Sequence, residues 1–263
     1  WLPVTQGNYW DQYSDEIEWV GNAINEAKCG LVVPQYVYDA GVTSIYDLAN
    51  HTEEFGGEII GIEPGAGIMQ NTENKAIPWY NLTEYTLVSG SSAGAFSTML
   101  DAYNNDEWAV ITGWTPHWSW ARMDLAYLQD PLKAYGEEDH IANLARLGFQ
   151  DDMPEAYSIL ERYNLPLEEL HAVMLEIEND VPAEEAAQNW VDENQDMVEY
   201  WIDGYDGSIT MGVSQWTCDI ATAQILKLTY EQAGYDVTME SGDLGPLYQA
   251  LSDSQFDIGF GWL

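Results

Sequence analysis

The chain has 263 residues, with 45 Asp and Glu against seven Lys and Arg and a formal charge of −38. Seven cations cannot build the patch that displaces counterions from nucleic acid, nor dock on an anionic membrane surface. With 46% hydrophobic and 13% aromatic residues, the chain is no disordered polyanion, and it is long enough for one large domain or two lobes with a core each.

So acidic a surface suits solubility in concentrated salt, where screening over a few Å removes self-repulsion. An acidic extracellular protein of a moderate habitat is the alternative. No run of about eighteen apolar residues is present to span a bilayer. The chain opens at Trp1-Leu2-Pro3 without a basic, apolar leader, as expected of a processed chain or a trimmed fragment. Cys29 and Cys218 lack metal-ligand spacing and leave two readings, one disulfide or two small buried hydrophobes.

In chain order, a helical stretch is expected around Tyr9 to Trp19, then a buried strand over Gly30 to Pro34. Ser44 is placed to cap a short helix, and Gly56-Gly57 reads as a turn. A strand over Glu58 to Ile62 runs into the glycine-rich turn Pro64 to Gly67, with a helix from Ile68. Thr86 to Val88 and Ala109 to Thr112 read as strands, the second ending in the cluster Trp114-Thr-Pro-His-Trp118. From Glu137 to Trp201 the pattern reads as helical, with starts at Asp151, Pro166 and Pro182. Asp203 to Gly207 is a turn-rich connector. Then come a strand over Ser208 to Val213, a helix over Ile220 to Ala233 and a strand over Tyr235 to Met239. A helix over Leu244 to Leu251 and a strand over Phe256 to Phe260 complete the order. Strands alternating with helices predict an α/β protein with mostly parallel sheets. The last strand leads into Gly261-Trp262-Leu263, and the chain begins Trp1-Leu2-Pro3, as a circularly permuted domain or one unit of a head-to-tail array would.

Neither H-E-x-x-H nor G-x-x-x-x-G-K-[ST] is present, and Gly61 to Gly67 lacks the third glycine of a dinucleotide turn. The four histidines show no paired spacing, so neither a metal nor a cofactor is expected. The tryptophans are the stronger signal. Trp114, Trp216 and Trp262 each sit at or just past an expected strand end, where open α/β sheets form their ligand crevice. An indole face attracts a cation that cannot hydrogen-bond, such as a quaternary ammonium. The turn before Ile68 offers free backbone N–H groups to a carboxylate. Together these describe a site for a zwitterion.

The strings Gly61-Ile-Glu-Pro-Gly-Ala-Gly-Ile-Met69, Thr112-Gly-Trp-Thr-Pro-His-Trp118, Gly30-Leu-Val-Val-Pro-Gln-Tyr36 and Trp1-Leu-Pro-Val-Thr5 resemble the glycine betaine-binding proteins of compatible-solute ABC importers. The resemblance covers essentially the whole chain. It implies a two-lobed, type II-like periplasmic-binding-protein fold with a hinge and an interlobe cleft, in circularly permuted order. The lobes would be 1–42 with 137–263, and 43–136. It implies an aromatic cage of Trp114, Trp216 and either Trp262 or Trp1, with Gly67 and Ile68 as backbone donors to the carboxylate. Gln6 stands where some relatives have a histidine that helps hold that carboxylate. The implied partners are a quaternary ammonium solute, glycine betaine foremost, and an ABC permease; the implied location is extracytoplasmic, without catalysis. Choline or a sulfonium solute is the alternative ligand. A hydrolase working through a carboxylate pair and a sugar-binding module are the rivals from other classes.

Overall fold

A computed structural model of the chain describes residues 2, 7–202 and 207–260. They form two compact units: unit 1 is Trp1–Ala27, Pro116–Trp118 and Asp139–Leu263, and unit 2 is Lys28–Thr115 and Ser119–Glu138. The first division falls between Ala27 and Lys28, inside an unbroken strand, whereas the sequence expectation has it after residue 42.

The strands are β1 (Ile17–Pro34), β2 (Glu58–Ile60), β3 (Thr86–Val88), β4 (Ile111–Thr115), β5 (Leu125–Tyr127), β6 (Asp139–Arg146), β7 (Gly207–Val213), β8 (Tyr235–Ser241) and β9 (Ile258–Phe260). The sheet of unit 1 runs β1–β6–β9–β7–β8 and that of unit 2 runs β3–β2–β4–β1–β5, β1 giving its first part to one and its last part to the other. Parallel ladders join β2 to β3 and β4, and β7 to β8 and β9. Antiparallel ladders join β1 to β4, β5 and β6, and β6 to β9, so the sheets are mixed rather than mostly parallel.

Two expectations change here for a physical reason. The helix at the start covers only Gly7–Tyr13, and β1 has begun by Ile17. Register shifts against β6 at Trp19/Gly21, Asn22/Ile24 and Ile24/Ala27 break the two-residue alternation by which a strand is recognised. The stretch from 137 opens with β6, not a helix. Between β1 and β9 that strand is buried on both faces, so His140-Ile-Ala-Asn-Leu-Ala-Arg146 carries no alternation. Helices follow from Phe149, with Pro166 and Pro182 as N-caps. Asp151 is no N-cap; it lies inside Phe149–Asp152, whose N-cap is Gly148 at φ 78°.

Asn143 ties β6 to the helices, its amide donating to the carbonyls of Leu160 (3.0 Å) and Tyr163 (2.9 Å). The hydroxyls of Tyr163 and Tyr230 cross-link the long helix Thr217–Ala233 to the helix Pro154–Arg162 region, donating to Thr222 O at 2.7 Å and Ala156 O at 2.8 Å. Leu2 exchanges two 2.9 Å backbone hydrogen bonds with His140, while Phe260 at the end of β9 pairs with Asn143. Leu2 therefore occupies the position on β6 that the third residue beyond Phe260 would reach if β9 ran on in register.

In unit 2 all five residues of β4 are buried. The sequence reading overlooked the helix Ser92–Asn104, whose small residues Ser92, Ala93, Gly94 and Ala95 mask an apolar stripe. Ser91 caps it, its Oγ accepting the Gly94 N–H at 3.1 Å. Gly113 is where β4 approaches β1 most tightly: a Cβ there would meet Val32 Cγ2 at 2.7 Å and Val32 Cβ at 3.2 Å. A β-branched side chain in a sheet cannot swing aside. Gly113→Ala is therefore expected to destabilise the protein by about 1–3 kcal/mol in urea unfolding. Gly65→Ala, with open space around the added methyl, should leave the midpoint nearly unchanged.

Candidate functional site

In unit 2 β2 and β4 run parallel; the last residue of β2, Ile60, pairs with the first of β4, Ile111, and β4 runs on to Thr115. After β2 the chain turns through Gly61 to Ala66, and the short helix Gly67–Asn71 begins. A Cβ at Gly61 would overlap Met69 Sδ at 2.3 Å, so a larger residue there requires the buried Met69 side chain to shift. Met69 and Ile68 are buried, and Met69 Sδ accepts the Ile62 N–H at 3.2 Å, which fixes the turn. The N–H groups of Gly67 and Ile68 make no hydrogen bond to any described residue, as the first donors of a helix without a side-chain cap.

Trp114 lies within β4, one residue before its end, not beyond the strand as the sequence suggested. It is 7% exposed, and the Phe96 ring meets it nearly perpendicularly at 5.4 Å. Its carbonyl accepts the Trp120 indole N–H at 2.9 Å. Trp120 stacks on Tyr127 at 4.8 Å, and the Tyr127 hydroxyl donates to Lys28 O at 2.8 Å. The Lys28 ammonium sits 4.7 Å from the centroid of the Tyr127 ring. Trp120 and Tyr127 were absent from the sequence expectation; their signal was their position just after the Trp114 string.

In unit 1 Trp216 follows β7 and is the N-cap of the helix Thr217–Ala233. Its indole is 44% exposed. The backbone N–H of Trp216 donates to Ser214 Oγ at 3.3 Å, and the Ser214 hydroxyl donates to the buried carboxylate of Asp219. Trp262, Trp1 and Gln6 lie outside the described residues. Gly67, Ile68 and Trp114 thus fall in one unit and Trp216 in the other. Cys29 and Cys218 are not joined by a disulfide.

One string was missed in the sequence. Gly90-Ser91-Ser92-Ala93-Gly94 has the G-x-S-x-G pattern of a hydrolase elbow and stands between a strand and a helix. The local geometry is different. Ser92 is not among the residues with positive φ, its N–H donates to Glu63 Oε1 at 3.2 Å, and Ser91 serves as the helix cap. Among the described residues no histidine is hydrogen-bonded to either serine.

The Thr112 to Trp118 string also carries His117, buried in unit 1 with its ring 5.0 Å from that of Trp118. Burial, with a smaller contribution from His171, pushes its pKa down to about 3. Burial likewise pushes His171 down to about 4.

Three comparisons bear on this geometry. The family described as the substrate binding domain of ABC-type glycine betaine transport systems matches residues 1–193 and 207–263. The glycine betaine/carnitine transport binding protein GbuC of Listeria monocytogenes is 35% identical over 211 residues, 78% of this chain and 70% of its own. Among solved structures, lactococcal OpuAC in a closed conformation complexed with glycine betaine superposes with a TM-score of 0.63 at 37% identity, covering 77% of this chain and 78% of its own. An ABC-transporter choline binding protein in complex with choline gives 0.58 at 25%, covering 75% and 71%. The α/β fold is that of the binding proteins of ABC importers.

The two buried imidazoles set a pH dependence. Both pKa values lie below the ordinary 6.5. Their contribution to stability is complete above the unfolded value and is lost as pH falls, because the unfolded chain binds protons the folded chain refuses. From pH 7 to 5 unfolding should come to take up about two protons, and the unfolding free energy should fall accordingly. Urea titrations at pH 7, 6 and 5, in about 1 M sodium chloride to screen the carboxylates, would measure it. A flat profile would contradict the burial of both rings.

Proposed function

The chain belongs to the family of substrate-binding domains of ABC-type glycine betaine transport systems, and on that premise we propose that it captures glycine betaine outside the cytoplasm and delivers it to a membrane permease without transforming it. The observation that carries this reading lies in unit 2, on the parallel strands β2 and β4. The turn after β2 leads to the N–H groups of Gly67 and Ile68, which bond to no described residue, and the Trp114 indole stands one residue before the carboxyl end of β4.

Glycine betaine is a trimethylated cation joined to a carboxylate. The trimethylammonium group has no N–H and cannot hydrogen-bond, so its preferred surroundings are polarisable faces with negative quadrupoles. Trp114 supplies such a face in unit 2, and Trp216 offers another in unit 1. The amides of Gly67 and Ile68 suit the carboxylate, being donors that bring no net charge. Trp262 or Trp1, and Gln6, complete the assignment by family resemblance. The permuted order belongs to the same reading, supported by Leu2 standing in line with β9 on β6. The acidic surface is read as an adaptation to a saline habitat.

Calorimetric titration with glycine betaine tests the proposal. Trp114 is buried, so its truncation also costs stability, and the variants must first be shown folded by thermal melting. Trp114→Leu should weaken binding by at least about tenfold, because the quadrupole is lost, and Trp114→Phe by less. Choline should bind more weakly than glycine betaine, having a hydroxyl where the carboxylate would meet Gly67 and Ile68. A preference for choline would reassign the protein as a choline receptor.

The melting temperature should rise between 0.1 M and 1 M sodium chloride, as the Debye length falls from ~10 Å to ~3 Å, while the affinity for glycine betaine holds. A large loss of affinity in molar salt would point instead to a ligand held by exposed charge.

A further inference from the structure

We propose that Asp219, acting through Ser214, is a positioning residue for the Trp216 indole. The proposal rests on the reading of Trp216 as a ligand-binding residue.

The chain passes from β7 into the helix Thr217–Ala233 through Val213-Ser-Gln-Trp-Thr-Cys-Asp219. Trp216 occupies the N-cap with an extended backbone, φ −79° and ψ 141°, and no side chain caps the helix. Serine, threonine, aspartate and asparagine are favoured at that position because their oxygen accepts an orphan N–H; tryptophan has none to offer. The helix thus forgoes a cap at the residue whose indole stays exposed.

Asp219 is the third residue of the helix. In an ordinary capping box the acidic side chain at that place takes the N–H of the N-cap residue directly. Here the bond is relayed. The Trp216 N–H donates to Ser214 Oγ at 3.3 Å, and the Ser214 hydroxyl donates to Asp219 Oδ2. The second carboxylate oxygen receives the Cys218 thiol at 3.6 Å. Ser214 is 2% exposed and Asp219 fully buried. A chain with 45 carboxylates has a solvated surface for every one of them, and burying this one is costly unless its donors are fixed. The relay fixes the backbone N–H of Trp216 relative to the helix, and with it the direction in which the indole leaves the turn.

A double-mutant cycle read by calorimetry with glycine betaine tests this. Trp216→Ala should weaken binding. Ser214→Ala should weaken it by about fivefold in the otherwise native protein and by almost nothing in the Trp216→Ala background. Ser214→Thr, which keeps the hydroxyl, should restore most of the affinity. Asp219→Asn should resemble Ser214→Ala if it folds; Ser214→Ala carries the test if it does not. Equal losses in both backgrounds would mean that Ser214 only stabilises the unit, and the proposal would be overturned. So would native affinity in Ser214→Ala, with Trp216 still assigned to the site. If Trp216→Ala itself binds normally, the assignment of Trp216 falls and the positioning role falls with it.

Discussion

Both sheets depend on the backbone pairing of one strand. The eighteen residues of β1 pair with β6 over their first part and with β4 and β5 over their last. The two parts solve different problems. Against β6 the strand is bulged and carries Asn22, Asn25 and Glu26; against β4 it runs in unbroken register from Lys28 to Val32. In the unbroken half Gly113 pairs with Gly30, the Val32 side chain crowds any Cβ at Gly113, and Trp114 follows directly. The indole therefore follows a position where the Val32 side chain favours glycine.

The scarcity of cations imposes a second constraint. Arg146 takes its Nε to Asp257 at 3.0 Å and its Nη1 to Asp152 at 2.7 Å, while the other Asp257 oxygen accepts the Thr210 N–H. It thereby holds β6 beside the turn into β9 at the place where that N–H of β7 is also satisfied. Lys227 is shared between Glu184 and Glu231, linking two helices of unit 1. Lys28 lies over an aromatic ring rather than beside a carboxylate. With so few positive charges, these three residues bridge elements, and most of the negative charge is left to water and salt.

Much of this was legible in the sequence where local physics decides. The capped turn at Ser44 formed with its full capping box, Asp47 accepting the Ser44 N–H, because serine followed three residues later by an acid is a self-contained device. The strands at Thr86, Ser208 and Tyr235 also came from local pattern. What was illegible depends on tertiary partners. β6 hid among helices because burial on both faces erases alternation, and the first half of β1 hid because bulges do the same. In the candidate site, the motif strings pointed to Trp114, Gly67 and Ile68. That Trp120 and Tyr127 brace the first was marked only by their position after its string, since a stack and a carbonyl hydrogen bond leave no spacing rule.

The two described tryptophans of the assignment differ in a way that bears on how a cation would be held. Trp114 is buried, met edge-on by Phe96, with its carbonyl bound by Trp120. Its rotamer is already restricted, so little ordering remains to oppose ligand capture. Trp216 stands exposed, and only its backbone is anchored. A cation–π contact is worth about 0.5–1 kcal/mol when wet and about 2 or more when dry. The exposed indole therefore has the larger gain available from enclosure, and the buried one the smaller entropic cost. Under the proposed assignment, then, the Trp114 indole would be prepared in advance and the Trp216 indole would contribute more as it dries.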